Sequence, residues 1–245
     1  MGLKQITYSN TEHKDFYKVL RKRVNAYFKD NNKTRYADTN MVLKTIFMLS
    51  LYLVPFILML TIVTNTWLVM LMWVLMGFGT AGVGLSIMHD ANHQAYSKNK
   101  WVNKIIGKLT NAVGGSDANW RIQHNVLHHT FTNIKGQDED IDAGRIIRFS
   151  KHSKWFNIHK FQKYYSFFLY GLLTINWAIT TDFKQMNNYL KRKLSYGKFP
   201  NPATEWTKLI ISKIVYYAIW IVLPLLVLDL AWWKIFIGFF IMLIL

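Results

Sequence analysis

Residues 67–93 read WLVMLMWVLMGFGTAGVGLSIMHDANH. The stretch 67–88 carries no charge at all, and an uninterrupted apolar run of about 20 residues matches the hydrocarbon thickness of a bilayer. Two histidines, His89 and His93, follow at once. Upstream, residues 41–63 (MVLKTIFMLSLYLVPFILMLTIV) form a second such run, with a single Lys near its start. Both read as membrane spans. The alternative, buried core helices, would need a soluble domain large enough to cover two of them. Gly77, Ala81 and Gly84 fall at i, i+4 and i+7 in the 67–88 run, a spacing that close helix packing explains.

The rest of the composition agrees. Of 245 residues, 51% are hydrophobic and 16% aromatic, yet the formal net charge is +17. A nucleic-acid binder would spread that charge over a soluble fold; here charge and apolar bulk occupy separate blocks, which favours anionic lipid or an acidic partner over nucleic acid. The chain has no cysteine, which excludes disulfides and thiolate metal sites. The polar, basic first 40 residues are no secretory signal. Within them Phe16, Leu20, Val24 and Phe28 line one face of a helix predicted over 12–28, with Lys18, Arg21, Lys22 and Arg23 mostly elsewhere. Such a helix either lies on an anionic membrane surface or packs as an ordinary amphipathic helix on the protein.

Lys and Arg in short loops mark the cytoplasmic side. The N-terminal segment, residues 94–163 and residues 184–213 are all basic, whereas 64–66 is uncharged. The N-terminus and both long loops are therefore expected in the cytoplasm. Residues 164–181 (YYSFFLYGLLTINWAITT) are apolar but flanked by basic residues on both sides, which predicts an interfacial or re-entrant segment. Residues 208–228 form a third span, and 231–245 start back. At 1.5 Å per residue that last run covers about 22 Å, short of a core of roughly 30 Å. The expectation is an all-α membrane protein with four transmembrane helices, the fourth incomplete in a truncated chain, and a cytoplasmic helical region that carries the histidines. Gly114–Gly115 predicts a turn, with Ser116 or Asp117 as the N-cap of the next helix.

Five of the eight histidines form two groups: His89-Asp90-Ala91-Asn92-His93 and His124-Asn125-Val126-Leu127-His128-His129. On α-helices each four-residue spacing puts two imidazoles on one face. A metal needs such convergence, because each imidazole must come within about 2 Å of the ion. Imidazole without thiolate suits Fe, Zn or Cu. A zinc protease of the zincin type would need Glu directly after the first His; here Asp90 stands there, and the second group would have no task.

H-D-x-x-H followed by H-x-x-x-H-H, in the contexts HDANHQAYS and WRIQHNVLHHTFTN with GQDEDID beyond, resembles the first two histidine boxes of the membrane fatty acid desaturases, in the form of their acyl-CoA and front-end branch. The resemblance covers most of residues 40–245. It implies a di-iron centre with His89, His93, His124, His128 and His129 as ligands. It also implies O₂ as co-substrate, an acyl-CoA or acyl-lipid substrate in the bilayer, and an external electron donor such as a b-type cytochrome or a ferredoxin. The family's third box, H/Q-x-x-H-H, is absent. Residues 1–40 then form a basic cytoplasmic segment with an amphipathic helix, and 41–245 a membrane desaturase domain truncated before that box, an incomplete site expected to be inactive by itself.

The remaining candidates carry weaker signals. Asp90 either accepts a hydrogen bond from a ligand imidazole or is a solvated helix-end charge. Trp120 and Gln123 are candidates for the substrate cavity, although packing explains Trp120 equally well. Asp138, Glu139, Asp140 and Asp142 are expected in a solvated loop, rather than docking a basic surface or pairing with groups behind the ligands. His13, His152 and His159 stand apart from the boxes and are not counted as ligands. Competing functions are a histidine-box hydroxylase or ketolase, a zinc-dependent membrane hydrolase, and an inactive scaffold.

Overall fold

The structure, a computed structural model, describes residues 6, 15–142, 144–197 and 201–245. These residues form helices and loops with no strand among them. Helix α1 is Phe16–Asp30. Helix α2, Thr39–Thr61, is opened by Asp38, whose carboxylate accepts the Met41 N–H. Helix α3, Thr66–Asn92, is opened by Asn65, which accepts from the Trp67 and Leu68 N–H groups. Then come α4, Lys100–Gly107, and α5 over 117–131. Past a loop lie α6, Gln162–Gly171, and α7, Asp182–Lys191. Helix α8, Pro202–Val227, begins with Asn201 as cap and Pro202 in the first turn, where no amide hydrogen is needed. Helix α9 is Trp232–Ile244.

By length and composition α2, α3 and α8 can each cross a membrane. The three expected complete spans coincide with them. Helix α9, at 13 residues, is a shorter apolar helix, so the described structure supports three spans and leaves the fourth as an expectation. The apolar run 164–181 is no single helix: it breaks after Gly171, continues as Leu173–Asn176 and passes into a wider turn at Trp177–Thr181. From Leu173 the helix runs on into α7, and neither part is both long and apolar enough to cross.

Between helices in lipid, the solvent gives little hydrophobic drive, so close packing has to hold the bundle. Trp220 of α8 lies 4.7 Å from Tyr52 and 4.4 Å from Phe56 of α2, measured between ring centroids. Trp73 of α3 meets Phe239 of α9 edge-on and closes over Gly238. The small residues of α3 do not act as the expected stripe. A Cβ on Gly79 would sit 2.6 Å from the Tyr52 nitrogen, and one on Gly77 would sit 2.8 Å from Leu245 Cβ, whereas Gly84 has nothing within 4 Å. Helix α3 has neighbours on two sides, α2 and α9, and its close approaches are divided between them.

Helix α1 buries no residue. Phe16, Leu20 and Val24 are all exposed, so among the described residues its apolar face is not packed on the protein. Residues 12–14, the start of the helix predicted there, and His13 lie outside the described residues.

Candidate metal centre

Among the described residues four segments are wound as π-helix, and two of them carry or adjoin the histidine groups. Val83–Ile87 precedes His89 in α3, and Ile122–His128 forms the centre of α5, between Asp117–Arg121 and His129–Phe131. Bonding from i to i+5 widens a helix, and such turns are frequent at functional sites. In α5 the wider turn changes the sequence-based geometry: positions four and five beyond His124 fall to either side of it. His128 and His129 both stay beside His124, with ring centroids at 5.2 and 4.8 Å.

The ends of α3 and α5 face each other. His89 and His93 lie 4.6 Å apart, and His124 is 5.1 Å from the first and 5.0 Å from the second. His129 is 4.8 Å from His93. The structure thus brings all five box histidines together. His89 Nε2 and His124 Nε2 approach to 3.2 Å, about the separation of two nitrogens that each bind one ion at roughly 2.0–2.1 Å. Nitrogens of His89, His93 and His124 all fall within 4.8 Å of one another. An imidazole set of this kind fits iron or zinc. It also needs neutral rings, and burial, reinforced by neighbouring His89, His124 and His129, pushes the His93 imidazole down to about 4. Burial and the same crowding lower His129.

Carboxylates complete the cluster, and the expectation of a solvated acidic loop fails for Asp138, which is buried, and for Glu139, which is half-buried. The chain reverses after α5 through Asn133, at φ +62°, and Gly136, at φ +81°, and this folds 138–140 back onto the helix. Asp138 is buried. It accepts from His128 Nδ1 at 3.1 Å and from the Asn133 and Asp140 N–H groups at 2.8 and 3.0 Å. Asp140 lies 3.1 Å from His128 Nδ1 and 3.8 Å from His124 Nδ1. Burial alone would raise the Asp140 carboxyl, but hydrogen bonds from His124 and Gln123 and the neighbouring His128 hold it below the usual carboxylate range. Glu139 turns the other way, to Tyr189 at 2.5 Å and Arg192 at 3.5 Å. Of the four acids Asp138 is buried and Glu139 half-buried, whereas Asp140 and Asp142 are exposed.

The weaker candidates fall as follows. Asp90 Oδ1 is 3.2 Å from His89 Nδ1. Trp120 stacks on His124 at 4.5 Å and 26° and stands edge-on to His89 and His93. Both ends of the Gln123 amide are engaged, donating to Asp140 at 2.5 Å and accepting from Gln185 at 2.8 Å. His159 is buried away from the cluster, between the Phe156 N–H and the Arg145 carbonyl. His152 is exposed.

Two sets of residues that position the site were missed by sequence reasoning. Asn92, buried between the box histidines, donates to Thr110 Oγ1 at 3.0 Å, and its carbonyl accepts from Asn125 at 3.0 Å, which ties the first box to the second. Lys213, inside α8, donates to Asp182 and to the Gly114 carbonyl, both at 2.6 Å, while Asn119 donates to the Asp182 carbonyl at 2.7 Å. This latch joins α8 and α7 to the Gly114–Gly115 turn and to the start of α5, where Ser116 is the N-cap. The signal was present in principle, since an ionisable residue within a span is expected to have a buried partner.

An all-helical chain with three membrane-length helices and a histidine–carboxylate cluster where two helix ends meet defines a class of membrane protein built around a candidate metal centre. Residues 65–245 match the model of the fatty acid desaturase family, and the chain belongs to that family. It is 32% identical to an sn-1 linoleoyl-lipid 6-desaturase of Arthrospira platensis, over 86% of this chain and 57% of the relative. An acyl-lipid (8-3)-desaturase of Physcomitrium patens is 34% identical over 73% of this chain and 38% of the relative. An sn-1 linoleoyl-lipid 6-desaturase of Synechocystis is 33% identical over 72% and 49%. The chain thus spans about half the length of the curated relatives it matches. No solved structure matches.

Proposed function

We propose that this chain carries the membrane-embedded chemistry of an acyl-lipid desaturase. The enzyme would remove two hydrogens from neighbouring methylenes of a lipid-bound acyl chain in the presence of O₂ and leave a cis double bond. The observation that carries the reading is the convergence of five imidazoles from two helix ends, with centroids of adjacent rings 4.6–5.4 Å apart. His89, His93, His124, His128 and His129 would hold iron, two ions by the resemblance. Bound iron with O₂ supplies the oxidant that no side chain can provide for an unactivated methylene.

The chain's own residues prepare that site. In the tautomer that satisfies Asp138, His128 donates its Nδ1–H and leaves Nε2 for metal, the usual arrangement behind a ligand histidine. Asp90 does the same for His89. Burial keeps His93 neutral, so its lone pair is available at pH 7. Trp120 covers one face of His124 and excludes water from it. The acyl chain would approach from the bilayer side of α3. The donor of electrons is an external b-type cytochrome or ferredoxin. The basic N-terminus and loops favour a cytoplasmic position for them and for the histidines.

The test is expression of the full gene in a host lacking the product, with fatty-acid analysis by gas chromatography and metal analysis of the purified protein. A new cis double bond, O₂ dependence and bound iron are expected. Zinc in place of iron, with lipid hydrolysis that proceeds without O₂, would overturn the proposal; a hydroxylated product would move it to the hydroxylase branch.

A further inference from the structure

A groove of about 710 Å³ opens between α4, the start of α5 and the first turns of α8. None of the five box histidines lines it. Its charges do not balance. Asp117 is held by Arg121 at 2.6 Å and Glu205 by Lys208 at 2.7 Å, so these four cancel in pairs. Lys104 and Lys108 have no carboxylate partner among the described residues; Lys104 only stands over the Trp101 ring at 4.7 Å. Two positive charges are left facing one cavity.

The groove also has an apolar side: Met186 and Leu209, both buried, lie beneath it, and Ile211 forms its apolar rim. Ile211 is 55% exposed on the outside of a membrane-length helix, and on α4 Trp101 and Ile105 are 68% and 66% exposed. Trp and Lys exposed together near the end of a span are the usual residents of the membrane interface. The cavity therefore lies at the end of a membrane-length helix, where two cations and the apolar Ile211 line the same space. A soluble anion would need only the cations. A lipid needs both.

We propose that this groove binds an anionic phospholipid, with Lys104 and Lys108 on the phosphate and Ile211 of α8 along the acyl chain. The site is separate from the metal centre and stands whether or not the desaturase reading holds. Each lysine close to an anionic head group contributes roughly a factor of five, about thirtyfold for the pair.

The experiment places the protein in nanodiscs of phosphatidylcholine with a minority of phosphatidylglycerol and counts retained phosphatidylglycerol by native mass spectrometry. One tightly retained molecule is expected. K104Q/K108Q should lower its retention about thirtyfold, while K151Q/K154Q, which removes the same charge from an exposed loop, should leave it intact. Thr204→Glu, an added acid in the groove with both lysines kept, should weaken retention as well. Unchanged retention in K104Q/K108Q, or equal loss in both double variants, would overturn the site. Displacement of the lipid by millimolar inorganic phosphate would overturn the lipid assignment in favour of a soluble phosphate ligand.

Discussion

Replacing Lys213 by Met keeps the length and the apolar stem of the side chain and deletes only the ammonium. Three acceptors lose their donor: Asp182 Oδ2 and the Gly114 carbonyl, each at 2.6 Å, and the Trp177 carbonyl at 3.3 Å. Asp182 is wholly enclosed and keeps on its carboxylate the Asn119 amide, at 3.3 Å, and the Ser116 backbone N–H. Breaking a buried pair from one side costs roughly 3–5 kcal/mol, because the other charge is stranded. Adding Asp182→Leu removes the stranded charge. The double variant should then lose only about 1–2 kcal/mol, for the two carbonyls left without a donor. The assay is a double-mutant cycle of unfolding free energies in mixed micelles titrated with SDS. A double variant whose loss equals the sum of the two single losses would refute the latch, since coupled residues must depart from additivity.

The latch also has a pH signature. Burial holds the Asp182 carboxyl above its ordinary 3.8, against the opposing pull of Lys213 and the hydrogen bonds of Lys213 and Asn119. A carboxyl raised on folding contributes stability that is fully present below the unfolded value and is lost as pH rises through the folded one. Lys213→Met removes the opposing pull and raises the folded value further. The deficit of the variant relative to the parent should therefore be smallest in acid and widen as pH climbs above 3.8. A deficit that is flat with pH would mean that the variant loses packing and not charge compensation.

Three further outcomes are expected. Alanine at His89, His93, His124, His128 or His129 should abolish bound iron and turnover in the protein from the full gene at normal membrane insertion. Asp138→Asn, by contrast, should weaken metal binding roughly 10–100-fold with every ligand in place, and His159→Ala should lower stability while leaving metal content intact; substantial activity in His128→Ala would sink the ligand assignment. Gly79→Ala drives a methyl into the Tyr52 backbone and should cost about 1–3 kcal/mol, while Gly84→Ala should be silent in the same unfolding assay. Cysteines at Lys160 and Lys184, in a chain with no cysteine of its own, should both be labelled from one side of the membrane, and labelling from opposite sides would show that 164–181 crosses.

How much of this was legible in the sequence follows from the length scale of each signal. The spans were readable because a bilayer imposes about 20 apolar residues on any helix that crosses it, a pattern that needs no tertiary information. The same 3.6-residue habit misjudged α5. Nothing in the hydropathy of Ile122–His128 separates i→i+4 from i→i+5 bonding, so the box spacing correctly singled out His124, His128 and His129 but gave the wrong arrangement of the last two around the first. Asp138 and Asp140 were read as solvated because acids in a polar loop usually are. What places them is a chain reversal at Asn133 and Gly136, five and eight residues past His128. Lys213 failed for another reason. One lysine hardly lowers the mean hydropathy of a long span, so the average hid the residue that could not be left unpaired there. Its partners came from three separate segments, 114, 177 and 182, and only the fold brings those together. The residues nearest the chemistry announced themselves by spacing, whereas those that hold them in place are distributed along the chain and are specified by three-dimensional satisfaction of buried polar groups.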